Sequence, residues 1–220
     1  MPDHEYSIGR QLYATAGLRQ DWDDELSAVS PGYWELFCDL LVVAAASAIA
    51  DNFKEDQTLH GLYEFFLLYM AVVNGWLLYT HHYTSRFREA SLAHTMVLFF
   101  YLLGMAVTIV NASYETAAPF SMGVILQRVA WLIMLIPVAS QISRAKEFVF
   151  TLGLITFASI LPHFVVACRP DWVVTWWTVA ALIDILTEAI LACSLPGTKL
   201  VPINIEHTKD RLGVLVSRMT

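Results

Sequence analysis

Six stretches of about twenty apolar residues, separated by short polar connections, constrain this chain more than any other feature of its sequence. A bilayer core about 30 Å thick is crossed by roughly 20 helical residues, and within it every backbone amide must be satisfied inside the segment. The runs read Tyr33 to Ala50, Leu62 to Tyr83, Ser91 to Val110, Phe120 to Ile142, Phe148 to Ala167 and Trp172 to Leu195. Charge is scarce, at 15% of 220 residues, and clusters between the runs. Soluble domains carry about 25%, and their core helices seldom stay apolar all round. The predicted fold class is therefore all-α, a polytopic transmembrane bundle of about six membrane-spanning helices. Residues 1–32 form a polar leading segment without the apolar stretch of a cleavable signal. Residues 33–195 form the membrane domain and 196–220 a tail.

Within span one, Ala44/Ala48 and Ala46/Ala50 are small residues four apart, which lets a neighbour approach closely. That spacing predicts a helix buried among the others. Pro137 and Pro162 fall inside spans four and five, where neighbouring helices can re-satisfy the freed carbonyls. Tyr33, Trp34, Tyr79, Tyr83, Trp172, Trp176 and Trp177 mark the interfaces. Alternation of the spans puts Arg10, Arg19, Arg86, Arg88, Arg144, Lys146 and the tail's Lys199, Lys209, Arg211 and Arg218 on one side. Only Lys54 and Arg169 fall on the other. The positive-inside rule makes the first side cytoplasmic, with both termini there. In the tail, Leu212 to Val216 opens an apolar run too short to span. It reads either as an interfacial helix or as the start of a truncated seventh span.

Several functions are excluded or unsupported. A net charge of -7 argues against nucleic-acid binding. Cys38, Cys168 and Cys193 fit no zinc or disulfide spacing and read as small packing residues. There is no nucleophile with a base at known spacing, no phosphate-cradling loop and no dinucleotide fingerprint. No cofactor or metal is expected, and the chain is not read as an enzyme.

Four motifs point to a family. Trp34-Glu35-Leu-Phe37-Cys-Asp39-Leu40 is similar to a WLELFFDLVFVVA opening. Trp76, Tyr79, Arg86 and Phe87 fit a W-x-x-Y-T…RF stretch at the end of a second helix. Asp184 stands in the sixth. Pro202-Ile-Asn-Ile-Glu-His207-Thr-Lys-Asp-Arg211-Leu-Gly213 is similar to P-I-x-x-x-H-x-x-E-R-F-G, with Asp210 in place of Glu and Leu212 in place of Phe. In order and spacing from Tyr33 to Gly213, the chain resembles the low-temperature-requirement A (LtrA) family. The resemblance implies a multi-pass membrane protein linked to growth in the cold, without an established substrate. The family continues through further helices, so the chain is read as the amino-terminal half of a longer protein. Its expected partners are the lipid bilayer and either copies of itself or the helices of a missing half.

An ionisable group at the bilayer centre costs at least about 2.5 kcal/mol, so each needs a partner or a function. Asp184 and Glu188 share one face of span six. Either they hold a proton or small cation, or they pack against Arg128 or a hydroxyl. Arg128 lies too deep in span four to reach an interface. Its first-choice partner on depth is Asp184, and an anion or substrate contact is the alternative. Glu35 suits a helix start, whereas Asp39, one turn deeper, needs a partner. His81 and His82 close span two. Neighbours on an α-helix point about 100° apart, so at most one is expected to face the interior. They read either as a proton relay to the carboxylates or as interfacial polar groups. A metal would need ligands from several helices, such as His163 or His94, and the spacing demands none. Asn74 and Gln127 read as interhelical hydrogen-bonders. The leading expectation is a proton or small-cation transporter using Asp39, His81 or His82, Glu188 and Asp184. A non-catalytic membrane component is the second, and a lipid-acting enzyme the weakest.

Overall fold

The computed structural model describes residues 16–18, 33–88, 91–195 and 200–203. In chain order they form β1 (Gly17–Leu18), α1 (Tyr33–Glu55), α2 (Leu59–Leu77), which runs on as a π-helical turn (Leu78–Thr84), β2 (Phe87–Arg88), α3 (Leu92–Val110), α4 (Ala117–Gln141), α5 (Lys146–Cys168) and α6 (Val173–Ser194). Single 3₁₀ turns, Ser143–Ala145 and Pro170–Trp172, precede α5 and α6. All six helical stretches are long and apolar enough to cross a membrane. The chain is thus an all-α, multi-pass membrane bundle, as its apolar runs predict.

Local chemistry sets the helix ends. Thr58 caps α2, its side chain accepting the Gly61 N–H at 3.2 Å, and Ser91 caps α3, accepting that of His94 at 3.0 Å. α1 outlasts its expected end at Ala50 and runs to Glu55. Asn52 Nδ2 donates to the Ala112 carbonyl at 2.5 Å, which ties this extension to the α3–α4 loop. Pro137 and Pro162 lie inside α4 and α5 as expected.

One expectation is corrected. α1 is not buried among the others: 22% of its apolar span is buried, against 50% for α4 and for the span containing α5. Ala44 is exposed, and the stripe that packs is Cys38, Asp39, Ala45 and Ile49. The central seat belongs to α4, which packs along α3 and α5. Glycine is the reason. A Cβ on Gly104 would stand 2.6 Å from the Gln127 backbone nitrogen, and one on Gly123 would stand 2.7 Å from that of Thr108. With no side chain at either site, α3 and α4 touch backbone to backbone and gain dispersion contact that lipid cannot match.

Two apolar clusters fill the bundle. One gathers Tyr79, Tyr83, Tyr101, Trp131 and Phe148. The other gathers Ile49, Leu68, Phe120, Val124 and Trp177. Between them every central helix turns polar, at Asn74 of α2, Thr108 of α3, Gln127 and Arg128 of α4, Ser159 and His163 of α5 and Asp184 of α6. Beyond the first cluster, β1 pairs antiparallel with β2, Gly17 opposite Arg88 and Leu18 opposite Phe87. Nearby, the Ala16 N–H donates to Gln141 Oε1 at 2.7 Å, and Arg86 Nε donates to the Val201 carbonyl at 3.2 Å. The segments before α1 and after α2, α4 and α6 therefore meet at one end, here called the ribbon end. The tail's apolar run Leu212 to Val216 and the motif residues His207, Arg211 and Gly213 lie outside the described residues.

The glycine contact makes a direct prediction. Gly104→Val forces α3 and α4 apart and is expected to cost about 1–3 kcal/mol, read as thermal unfolding of the detergent-solubilised protein. Gly153→Ala, whose Cβ would meet Leu132 at an ordinary 3.7 Å, is the control and should leave stability unchanged or raise it.

Candidate functional site

Arg128 is the most demanding side chain in the polar layer. Its side chain is 0% exposed and that of Asp184 is 6% exposed, and Nη2 donates to Asp184 Oδ2 at 2.6 Å. Nη1 donates to the Ser159 hydroxyl, which donates in turn to the Thr156 carbonyl at 2.8 Å. Asn74 of α2 lies on the Asp184 side of the layer. Two charges removed from water are tolerated only with this kind of satisfaction. The depth-based choice of Asp184 as the partner of Arg128 is the pair observed. Asn74 and Gln127 stand at the level of this layer. The Tyr101 hydroxyl donates to the Gly75 carbonyl at 2.5 Å, and the Gln127 amide fills the space where a Gly75 Cβ would be. Some buried polar atoms have no partner among the described residues: Gln127 Nε2, Arg128 Nε and both ring nitrogens of His163.

One turn along α6 from Asp184, Glu188 meets the two histidines. Glu188 Oε1 lies 3.1 Å from His82 Nε2 and 3.6 Å from His81 Nε2. The π-helical turn presents both rings. The Trp131 indole donates to the Leu78 carbonyl at 2.8 Å where the turn begins. At its end the Ser85 hydroxyl and the Arg86 guanidinium both donate to the His81 carbonyl. As expected, one imidazole faces the interior: the His82 side chain is 4% exposed, whereas His81 is 34% exposed. Glu188, 64% exposed, stands at the rim and reaches both. His163 stays deep in α5 and His94 stacks on Tyr83, so neither joins this cluster.

Asp39 is a buried carboxylate of α1. It accepts from Trp76 Nε1 at 2.6 Å, joining α1 to α2. Glu35 is buried one turn before it. Of the other motif residues, Trp34 and Phe37 face outward, Tyr79 and Phe87 are buried, and Pro202 is half-buried. Arg86 is buried, with its guanidinium 5.0 Å from the centre of the Phe148 ring. Burial pulls its pKa down to about 10, which leaves it cationic at neutral pH.

At the far end a cavity of about 520 Å³ opens between α1, α2 and the α3–α4 loop, lined by Asn52, Glu55, Asp56, Glu64, Tyr114 and Glu115 among others. Burial and the neighbouring Glu64 push the Tyr114 hydroxyl pKa well up, so it stays protonated at neutral pH.

Sequence reading missed Ser159 and the glycine crossing, and weighed His163 only as a metal ligand. A signal was present: Thr156, Ser159 and His163 recur at helical spacing on one face of an otherwise apolar α5.

No curated protein and no solved structure matches the chain. Residues 31–217, most of its length, match the family described as bacterial low temperature requirement A protein (LtrA). The six membrane-spanning helices are those of a chain that belongs to the LtrA family.

Proposed function

We propose that this chain carries protons or another small cation across the membrane, with Asp184 as the central exchanging group. One observation carries the reading. A buried Arg128–Asp184 pair, with side chains 0% and 6% exposed, lies one helical turn from a rim cluster of Glu188, His81 and His82. The rim cluster can exchange protons with water, because imidazole accepts at one nitrogen while donating from the other. A turn of helix is about 5.4 Å, a distance that one water or a side-chain rotation bridges. His163 is one turn beyond Ser159 in the opposite direction and offers the next station towards the far end. There, Glu55, Asp56, Glu64 and Glu115 surround the cavity mouth and would raise the local cation concentration.

The Arg128–Asp184 pair gives such a path its control. While both are charged the layer is neutral. A proton on Asp184 leaves the Arg128 cation without its counter-charge in a low dielectric, which costs several kcal/mol. Occupancy is therefore brief, and the resting bundle stays closed to leak. The Lys and Arg bias, with Arg86, Arg88, Arg144 and Lys146 at the ribbon end, supports a cytoplasmic ribbon end and cytoplasmic termini. In this orientation the histidines face the cytoplasm and the acidic cavity faces away from it.

A second reading makes the chain a non-catalytic membrane component with Arg128–Asp184 as a static cross-link. The dense hydrogen bonding of that pair favours it. Two experiments separate the readings. In proteoliposomes under an imposed proton gradient, the wild type should conduct. Asp184→Asn should lose at least tenfold in flux, and Glu188→Gln several-fold, while both elute as single folded species. Wild-type flux no greater than that of empty vesicles sinks the transport reading.

The second experiment uses stability. Asp184→Ala alone strands Arg128 and should cost about 3–5 kcal/mol, whereas Arg128→Met/Asp184→Leu should stay within about 1 kcal/mol of wild type. A folded double variant without flux supports the path. Undiminished flux in it removes Asp184 from the path.

A further inference from the structure

We propose that His81, His82 and Glu188 form a binding site for one divalent transition-metal ion, of the zinc class, at the ribbon end of the bundle. Each side chain offers one donor atom, and the three atoms lie within 4.8 Å of one another. Two of the separations are 3.1 and 3.6 Å, from Glu188 Oε1 to His82 Nε2 and to His81 Nε2. Zinc bonds of about 2.0–2.2 Å at tetrahedral angles set neighbouring ligand atoms about 3.4 Å apart. A bound ion would need to draw the three donor atoms, now within 4.8 Å of one another, only slightly closer together.

The supporting structure favours a site over a chance encounter. Both histidines project from one π-helical turn whose end is held by donors from Ser85 and Arg86 to the His81 carbonyl. Thr84 Oγ1 adds a bond to the Thr80 carbonyl at 3.2 Å. π-helical turns are rare and frequently lie at functional sites. His82 supplies a dry inner wall: it is 4% exposed, and its Nδ1 has no partner among the described residues. His81 and Glu188 form the open side, so an ion enters without parting the helices, and a water can take the fourth position. Two imidazoles and one carboxylate suit zinc and its neighbours. Magnesium prefers octahedral oxygen ligands and is a poor fit.

Two features limit the affinity. The guanidinium of Arg86, bonded to the His81 carbonyl, repels a dication. The partnerless His82 Nδ1 lacks the outer-shell acceptor that usually orients a metal-bound imidazole. The expected dissociation constant is therefore on the order of micromolar, weaker than that of structural zinc sites. The ion would occupy the lone pairs that a proton relay needs. Zinc would then slow flux from this end, a consequence that rests on the transport reading, whereas the site itself does not.

The test uses the full chain, purified in detergent, with Cys168→Ser/Cys193→Ser removing the two exposed thiols. Titration calorimetry with zinc chloride and visible spectra with cobalt(II) read binding. One zinc per chain is expected, with a tetrahedral cobalt spectrum, at least tenfold weaker binding in His81→Asn and in Glu188→Gln, and no competition from millimolar magnesium. Both substitutions sit on the exposed rim, where folding is least at risk. No stoichiometric binding by the folded chain, or binding unchanged in both variants, overturns the site. Zinc that binds as expected but leaves proteoliposome flux untouched supports the site and removes these histidines from the proton path.

Discussion

A bilayer does not tolerate an unpaired charge, and the bundle is arranged around that constraint at Arg128. The guanidinium has fixed directions and several donors, and its acceptors come from other helices, Asp184 on α6 and Ser159 on α5. Meeting them ties α4, α5 and α6 into one register. The apolar clusters on either side cannot do this. In lipid there is no hydrophobic driving force between helices, and leucine against valine slides at little cost. The polar layer thus selects one alignment among many that packing alone would allow.

The glycines belong to the same level of the bundle. Gly75 faces the Gln127 side chain, Gly104 faces the Gln127 backbone, and Gly123 faces Thr108 and Gly104. Gln127 is the residue beside Arg128. Close helix approach and buried polarity occur together because a long polar side chain among large neighbours would leave a void, whereas glycine backbone closes around it. Backbone also supplies acceptors that side chains would shield, as the Gly75 carbonyl does for Tyr101.

This accounts for what could be read from the sequence. Six helices were legible because hydropathy is a local property that needs no neighbour. The Arg128–Asp184 pair was legible because a deep charge has few partners at its own depth. The seating of the helices was not. The small residues of α1 fit the rule for close packing as well as Gly104 and Gly123 do, yet Ala44 faces outward. Which small residues are used depends on which helix carries the buried charge, and a spacing rule does not contain that information. Nor was the His81–His82–Glu188 cluster legible as a unit. It needs a π-helical turn on α2 to face α6, two helices separated by about a hundred residues of sequence.

On the proposed transport reading, the two ionisable stations differ in a way that a conducting path requires. Arg128 and Asp184 show almost no surface, so a change in their charge is expensive and rare. His81 and Glu188 are partly open, so a change in theirs is cheap. A bundle with only the buried pair would be tight but unable to load. One with only the rim cluster would load but carry nothing across. Glu188 and Asp184, one turn apart on the same face of α6, join the two regimes. A metal ion at the rim would act at the cheap end, where it can come and go without disturbing the pair that holds the helices in register.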